Sequence, residues 1–445
     1  MSTTGNGAEA PFSAETYQNE YLAAGADTVD AVVTVTAAGD PDSAAVGPHP
    51  GGRAEVVVID TSGSMGAARK MQAAREAASA AVDTLDDGVE FAIIAGDHEA
   101  KLIWPTDGRP FAVADHDDRQ NAKAAIARTE PAGGTAIGTW LDLARHLFTQ
   151  TSAQAKHAIL LTDGRNEHQQ PYELAGAVSS SRGLFQCDCR GVGVDWEVDE
   201  LRGIATSLLG TVDIVADPSK LAADFEAMIN SSQSKAMPDV KLRLWAPTGA
   251  TVETLRQTVP EVLDITSTGT QTGPLARDFL LGGWAPGESR EYHVRIKVTP
   301  AGVGDEMLAG RISLVLADGT VATQALVRAV WTDDMEKSTR INRHVAHATG
   351  QAELADAIQE GLNAAKAGDE RTATVKLGRA VQLAASSGNE DTLRLLKKVV
   401  DVGDAEAGTV KLKPSAGKED VMTLDTRSTR TVKLKPGEGD GEGEG

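Results

Sequence analysis

Strand and helix signals alternate at short spacing through residues 54–232, and this alternation constrains the fold more than any other feature. The first strand signal, residues 54–60, is a nearly continuous run of β-branched residues, which is typical of a strand buried on both faces. Residues 70–85 then place apolar side chains at helical spacing, and further strands and helices follow in turn. The pattern predicts a doubly wound, mainly parallel α/β sheet whose ligand site lies at the carboxyl ends of its strands.

The rest of the chain divides by pattern into segments of different structural class. Period-two alternation predicts an antiparallel β-sandwich, and an Ala-rich stretch with three apolar helix faces predicts a small C-terminal helical domain. A strand signal at residues 28–36 precedes the α/β domain, and we expect it to join the sandwich, which makes the α/β domain an insertion. The predicted domains are an N-terminal segment 1–50, the α/β domain 51–235, the sandwich 236–334, the helical domain 335–403 and a disordered Thr/Lys and Gly/Glu tail 404–445.

Composition excludes several functional classes. The formal net charge of -21 argues against nucleic-acid binding, which requires clustered lysine and arginine, and against anionic membrane surfaces. The only two cysteines, Cys187 and Cys189, lie two residues apart and do not form a disulfide framework, which favours a reducing compartment. The sequence has no secretory signal at residues 1–11 and no apolar stretch of membrane-spanning length. We therefore expect a cytoplasmic protein without membrane insertion.

One motif carries the chemistry of the α/β domain. Residues 60–64 read Asp-Thr-Ser-Gly-Ser and stand where the first predicted strand runs into the first helix. A tight turn after a strand can aim one carboxylate and two hydroxyls at a single point, and oxygen donors of this kind suit a hard cation such as Mg²⁺. Downstream, Thr135 follows two glycines before a helix, and Asp163 ends another predicted strand.

This combination resembles the metal-ion-dependent adhesion site (MIDAS) of von Willebrand factor A (VWA) domains, which have a Rossmann-like fold. The resemblance covers residues 51–235, and all five ligand positions match. It implies that Ser62, Ser64 and Thr135 are direct ligands, while Asp60 and Asp163 act mainly through water. It also implies that Mg²⁺, or alternatively Mn²⁺ or Ca²⁺, binds an acidic residue presented by a protein partner.

Motifs for catalysis are missing from the sequence. There is no His-Glu-x-x-His zinc motif, no Gly-x-Ser-x-Gly elbow and no phosphate-binding Gly-x-x-x-x-Gly-Lys loop. His98 and His168 are isolated and are expected to be surface groups, while Asp97 lies near a strand end and is a further candidate for approach to the metal. We predict a protein that is not an enzyme.

The last forty residues contain a repeated hexapeptide, Thr-Val-Lys-Leu-Lys-Pro, at 409–414 and again at 431–436. In a disordered tail such a repeat favours a linear recognition motif. It resembles the threonine-rich tails of bacterial cytosolic VWA proteins linked to Ser/Thr kinase signalling, which implies a kinase and a forkhead-associated (FHA) phosphothreonine reader as partners. The alternative is that its strands add to a sheet edge. The candidate phosphorylation sites are Thr409, Thr423, Thr426, Thr429 and Thr431.

These features predict a metal-dependent protein-binding adaptor. A second hypothesis is a VWA partner that recruits substrates to an AAA+ ATPase of the MoxR or chelatase type. A third, a surface adhesin, is disfavoured by the missing signal and anchor.

Overall fold

The computed structural model describes residues 11–40, 51–67 and 69–434 and divides into two compact units. Of these residues, one unit comprises 39–40, 51–67, 69–240 and 280–286, and the other comprises 11–38, 241–279 and 287–434. The chain begins with three strands, β1 (Phe12–Gln18), β2 (Tyr21–Ala23) and β3 (Thr28–Ala37).

The α/β unit then alternates strands and helices. Its strands are β4 (Arg53–Asp60), β5 (Glu90–Gly96), β6 (Ala100–Trp104), β7 (Ala112–Val113), β8 (Ala155–Thr162), β9 (Gln186–Val192) and β10 (Val212–Val215). Its helices are α1 (Lys70–Thr84), α2 (His116–Ala127), α3 (Ile137–Phe148), α4 (Pro171–Ser181), α5 (Val198–Ser207) and α6 (Leu221–Ser234).

These strands form one sheet in the order β10-β9-β8-β4-β5-β6, with β7 also paired to β5. The five strands from β10 to β5 in this order are parallel, and β6 and β7 run antiparallel to β5. Successive residues of β4 face opposite sides: Val57 and Ile59 pack into a core with α1, α2 and α6, and Val56 and Val58 are buried on the other face. The predicted fold class is thereby confirmed.

The next part of the chain consists of antiparallel hairpins and two further sheets. One sheet has the order β14-β15-β11-β17-β18-β2, and the other has the order β1-β3-β16-β12-β13. The early strand β3 pairs with β16 over nine residues. This sheet therefore combines strands that precede and strands that follow the α/β segment in the sequence. The strands are β11 (Met237–Trp245), β12 (Thr251–Val259), β13 (Leu263–Asp264), β14 (Thr270–Gly273), β15 (Ala276–Trp284), β16 (Ser289–Lys297), β17 (Glu306–Val315) and β18 (Val321–Thr332).

Helices follow the last long strand. Gly368 and Gly388 adopt positive φ at the breaks between helices, and Asp369 and Asn389 then cap the following helices by accepting hydrogen bonds from backbone N–H groups. None of the helices among the described residues has an apolar stretch long enough to cross a membrane. The elements are α7 (Met335–Thr339), α8 (Arg343–Lys366), α9 (Glu370–Ser386), α10 (Glu390–Val399), β19 (Val400–Asp404), β20 (Thr409–Leu412) and α11 (Lys418–Arg427).

The predicted disorder of residues 404–445 is wrong for the part that the structure describes. Strands β19 and β20 form a hairpin, and Leu424 of α11 is fully buried in the core formed by α8, α9 and α10. The hairpin approaches α9 so closely that a β-carbon at Gly378 would lie 2.3 Å from the carbonyl oxygen of Gly408. The composition is misleading because few apolar residues are needed where the neighbouring helices supply the rest of the core. The acidic Gly/Glu repeat at 437–445 lies outside the described residues.

A buried ionic network joins three neighbouring strands of the α/β sheet. His157 on β8 lies between two carboxylates: its Nδ1 is 2.7 Å from Glu55 on β4, and its Nε2 is 2.9 Å from Asp188 on β9. Burial alone lowers the pKa of His157, but the charges and hydrogen bonds of Glu55 and Asp188 outweigh burial and raise it to about 9. Asp188 is also buried, and His157 holds the pKa of that carboxyl well below its usual range. The network therefore contains a charged imidazolium at neutral pH.

We predict that Leu424→Ala destabilises the helical part by about 2–4 kcal/mol, because it removes a fully buried side chain from a packed core. Urea unfolding followed by far-UV circular dichroism measures the change. Val375→Ala is the matched control, since Val375 lies on α9 of the same part of the chain but is 64% exposed. Equal midpoints for the two variants would show that α11 is not packed in solution.

We also predict that the free energy of unfolding falls by on the order of 3 kcal/mol as the pH rises from about 6.5 to 9. Folded His157 keeps its proton up to a pKa of about 9, whereas an ordinary histidine loses it near 6.5, so the stabilisation is complete below 6.5 and lost above 9. Unfolding measured across this range should show a shallower slope in His157→Gln. His116→Gln, at an exposed position of the same unit, should keep the slope of the unmodified chain.

Candidate metal centre

The predicted metal ligands lie on three loops at the carboxyl edge of the parallel sheet. The first loop follows β4, the second precedes α3 and the third follows β8. Backbone hydrogen bonds tie the first two loops together: Gly63 N–H donates to the Gly133 carbonyl at 3.1 Å, and Ala132 N–H donates to the Thr61 carbonyl at 2.7 Å. Thr61 N–H in turn donates to the Gly96 carbonyl at the end of β5, at 2.7 Å. The turn at residues 61–64 is thus held on two sides.

Three hydroxyl groups converge at this edge. The Oγ atoms of Ser62 and Ser64 are 3.0 Å apart, and Ser64 Oγ donates to Asp163 Oδ1 at 2.6 Å. The Thr135 hydroxyl lies on the same side of Gly164 as the Ser64 hydroxyl. A β-carbon placed on Gly164 would lie 3.1 Å from Thr135 Oγ1 and 3.7 Å from Ser64 Oγ. The side chain of Ser64 is exposed, whereas Ser62 and Thr135 are buried. The hydroxyl cluster therefore opens to solvent on the Ser64 side.

Asp60 is a buried carboxylate that receives only neutral hydrogen-bond donors. Its Oδ1 accepts from Ser62 N–H at 2.7 Å, and its Oδ2 accepts from Thr162 Oγ1 at 2.6 Å. Burial raises the pKa of Asp60 to about 6, and no lysine or arginine of the described ranges forms an ion pair with it. A positive charge beside it would offset this burial, so Asp60 suits a site for a divalent cation.

Asp163 also carries an ion pair that the sequence reasoning missed. Lys70, the first residue of α1, places its Nζ 2.7 Å from Asp163 Oδ2 and 3.5 Å from Asp195 Oδ2. Partial burial lowers the pKa of Lys70, but the hydrogen bond and charge of Asp163 raise it above its ordinary value. The one signal in the sequence is its position, because a lysine in the first turn of a helix opposes the helix dipole.

The other candidates near the site have separate partners. His168 Nδ1 accepts a hydrogen bond from Thr135 N–H at 3.1 Å, so this exposed imidazole supports the loop that carries a predicted ligand. Asp97 accepts from Glu99 N–H at 2.8 Å and pairs with the half-exposed His98 at 3.2 Å. Asp97 thus has partners of its own, and its approach to the metal stays a prediction.

The donor set fits a hard divalent cation. It consists of three hydroxyls and two fully buried carboxylates, and oxygen ligands of this kind suit Mg²⁺ and the related ions Mn²⁺ and Ca²⁺. Within the part of the chain that the structure describes, no group of three or more His, Cys, Asp or Glu side chains is arranged to hold a metal. A metal ion bound at this edge would therefore need the hydroxyls as ligands.

The candidate phosphorylation sites in the tail differ in exposure and in hydrogen-bond partners. Thr409 is exposed at the start of β20, and Thr423 is half-buried on α11. Thr426 is 3% exposed and donates its hydroxyl to the Met422 carbonyl at 2.9 Å. Thr429 accepts from Val262 N–H at its backbone carbonyl, and Thr431 donates both its N–H and its hydroxyl to the Pro260 carbonyl.

Only the first copy of the repeat forms a strand within the described residues. The first copy forms β20 and pairs with β19. The second follows an isolated bridge between Glu261 and Arg430 and is described only as far as residue 434. The first copy thus pairs within a two-stranded hairpin, and recognition of the repeat by a partner stays a prediction.

We predict that Gly164→Ala lowers Mn²⁺ affinity about tenfold, because the added methyl would lie 3.1 Å from Thr135 Oγ1 and push that hydroxyl out of place. The φ of Gly164 lies outside the left-handed region, so the backbone accepts alanine. Isothermal titration with Mn²⁺ measures the affinity. Gly176→Ala is the control, since a β-carbon there meets nothing within 4 Å. An unchanged affinity in Gly164→Ala would remove Thr135 from the ligand set.

Comparisons with known proteins follow the same division of the chain. The model of the von Willebrand factor type A domain matches residues 55–214, and the model of the von Willebrand factor type A C-terminal domain matches residues 382–428. The second match spans the hairpin and all of α11, which the composition had suggested to be disordered. A curated but uncharacterized Synechocystis protein is 30% identical over 222 residues, and the chain spans about half of that relative's length (49%).

Two solved structures cover nearly the whole chain. The ArnB paralog VWA2 from Sulfolobus acidocaldarius is 14% identical with a TM-score of 0.58, covering 94% of this chain and 98% of that one, and shows similarity of fold alone. The von Willebrand factor type A protein from Catenulispora acidiphila is 48% identical with a TM-score of 0.89, covering 97% of this chain and 99% of that one. On this likeness along both chains, the protein belongs to the von Willebrand factor type A family.

Proposed function

We propose that the chain is a non-enzymatic, metal-dependent protein-binding adaptor of the cytoplasm. The observation that carries this proposal is the convergence of three hydroxyls and two buried carboxylates at one edge of the sheet, with Ser64 open to solvent. VWA domains are generally non-enzymatic and commonly bind a divalent metal ion at this position. The proposed metal is Mg²⁺, with Mn²⁺ or Ca²⁺ as substitutes.

The five residues of the site would contact the cation in two ways. Ser62, Ser64 and Thr135 would hold the cation through neutral oxygens, while Asp60 and Asp163 would act mainly through water. Because neutral ligands leave the charge of the ion largely uncompensated, a bound divalent ion supplies an electrophilic position for an anionic oxygen. The loops are fixed by backbone hydrogen bonds, so the hydroxyls are already oriented before a partner arrives. A partner carboxylate would enter from the Ser64 side.

The alternative is a VWA partner that recruits substrates to an AAA+ ATPase of the MoxR or chelatase type. The same metal site would serve that role, because recruitment also requires binding of an acidic residue. The two hypotheses differ in the identity of the captured protein and in whether ATP hydrolysis rises when this chain is added.

The exposure of the five candidate threonines separates the possible phosphorylation sites. Of the five candidate threonines, Thr409 is exposed and Thr426 is almost fully buried, so Thr409 is the position best placed for a Ser/Thr kinase. Leu412 lies three residues further on, where FHA readers often require an apolar residue. Thr409→Ala should then abolish recognition by an FHA protein while leaving Mg²⁺-dependent binding intact.

We predict that Ser64→Ala weakens Mn²⁺ binding at least about tenfold and releases the partner that the unmodified chain retains in Mg²⁺. The loss follows because Ser64 contributes a hydroxyl to the cluster and bonds to Asp163. Mn²⁺ titration is combined with affinity capture from native lysate in Mg²⁺ or EDTA, read by mass spectrometry.

The matched control is Ser152→Ala, at an exposed serine of the same α/β unit. A partner held by both variants in Mg²⁺, and equally by the unmodified chain in EDTA, would contradict metal-mediated binding. Capture of an AAA+ ATPase would favour the alternative hypothesis of a substrate-recruiting VWA partner.

A further inference from the structure

The two oxygens of the Asp163 carboxylate face different groups. Oδ1 accepts a hydrogen bond from Ser64 Oγ at 2.6 Å on the side of the hydroxyl cluster. Oδ2 pairs with the Lys70 ammonium at 2.7 Å, and both side chains are largely shielded, with 0% exposure for Asp163 and 11% for Lys70. Because the lysine engages only the far oxygen, the near oxygen remains directed at the hydroxyls.

The surroundings of Lys70 show how it is placed. The preceding residue, Arg69, adopts a left-handed conformation with φ 61, and Lys70 N–H donates to the Ala67 carbonyl at 3.0 Å at the start of α1. The end of the lysine side chain lies against Gly193, where a β-carbon would be 3.4 Å from Lys70 Cε. Asp195, which is 67% exposed, contacts Nζ from the same loop at 3.5 Å. Two loops and a helix start thus surround the ammonium group.

Charge at the site follows from these contacts. Asp60 and Asp163 are the buried anions, and a divalent cation alone would neutralise them. The Lys70 ammonium adds a positive charge next to Asp163, whereas the negative charge of Asp195 is mostly exposed and therefore screened. With Lys70 in place, a cation-loaded site has a net positive charge. Such a site binds the cation less tightly and attracts an anionic partner more strongly.

We propose that Lys70 is the specificity-determining residue of this site: it acts as a built-in second cation that weakens binding of the divalent ion and strengthens binding of a carboxylate to the ion-loaded site. The inference rests on the proposed function, because it assigns a role to Lys70 at the same metal centre. Lys70 does not touch the partner in this scheme; it acts through Asp163.

The test measures Mn²⁺ and acetate binding on the full chain. In Lys70→Met, isothermal titration should show Mn²⁺ bound about tenfold more tightly, because a like charge near the ion is gone. Acetate, titrated at saturating Mn²⁺ and followed by water-proton relaxation, should bind about fivefold more weakly. Lys70→Arg keeps the charge and should stay within about twofold of the unmodified chain in both measurements. It also tests the charge explanation if circular dichroism shows that Lys70→Met has lost its fold.

A matched control is Lys123→Met, which breaks the 2.7 Å ion pair between Lys123 and Asp83 in the same unit and should leave both affinities unchanged. Equal or weaker Mn²⁺ binding in a folded Lys70→Met variant, or a change above about fivefold in Lys70→Arg, would overturn the role of Lys70 alone. Absence of Mn²⁺ binding in every variant would overturn the proposed function together with this inference. Binding that appears only in Lys70→Met would support Lys70 as the opposing charge.

Discussion

The buried carboxylate of Asp60 is the constraint on which the arrangement of the candidate site depends. It ends the central strand β4, and its two oxygens accept hydrogen bonds from the Ser62 backbone and from the Thr162 hydroxyl on the neighbouring strand. These bonds bend the chain after β4 and connect it to the end of β8. Since β4 and β8 are parallel and in register, the loops that follow them meet at one edge. The hydroxyls of the site are brought together by this geometry.

The sheet and much of the candidate site could be predicted because their signals are local and regular. Continuous apolar strands alternate with helices, and Asp60, Thr135 and Asp163 stand at strand ends or before a helix, where a parallel sheet places ligands. The structure brings the Ser64 hydroxyl within hydrogen-bond distance of both the Ser62 hydroxyl and the Asp163 carboxylate.

Other features could not be predicted because they depend on contacts between residues far apart in the chain. The proposed role of Lys70 depends on its contact with Asp163, which is 93 residues away in the sequence. The folded state of residues 404–434 depends on the helices that bury Leu424, and a composition window cannot register that contribution. The segment is polar, but its polarity indicates that one face of each element is exposed and not that the whole segment is disordered.

Strand β4 carries a buried carboxylate near each of its ends, Glu55 and Asp60, and their partners differ. Near the edge where the strands begin, Glu55 and Asp188 are both paired with the imidazolium of His157, so the network is closed within the protein. At the edge where the strands end, Asp60 is equally buried but receives only neutral donors, and its pKa is raised. A closed network stabilises the fold, whereas a buried carboxylate without a cation leaves binding energy for one. This difference within one strand is the physical reason to propose a cation site at the carboxyl edge.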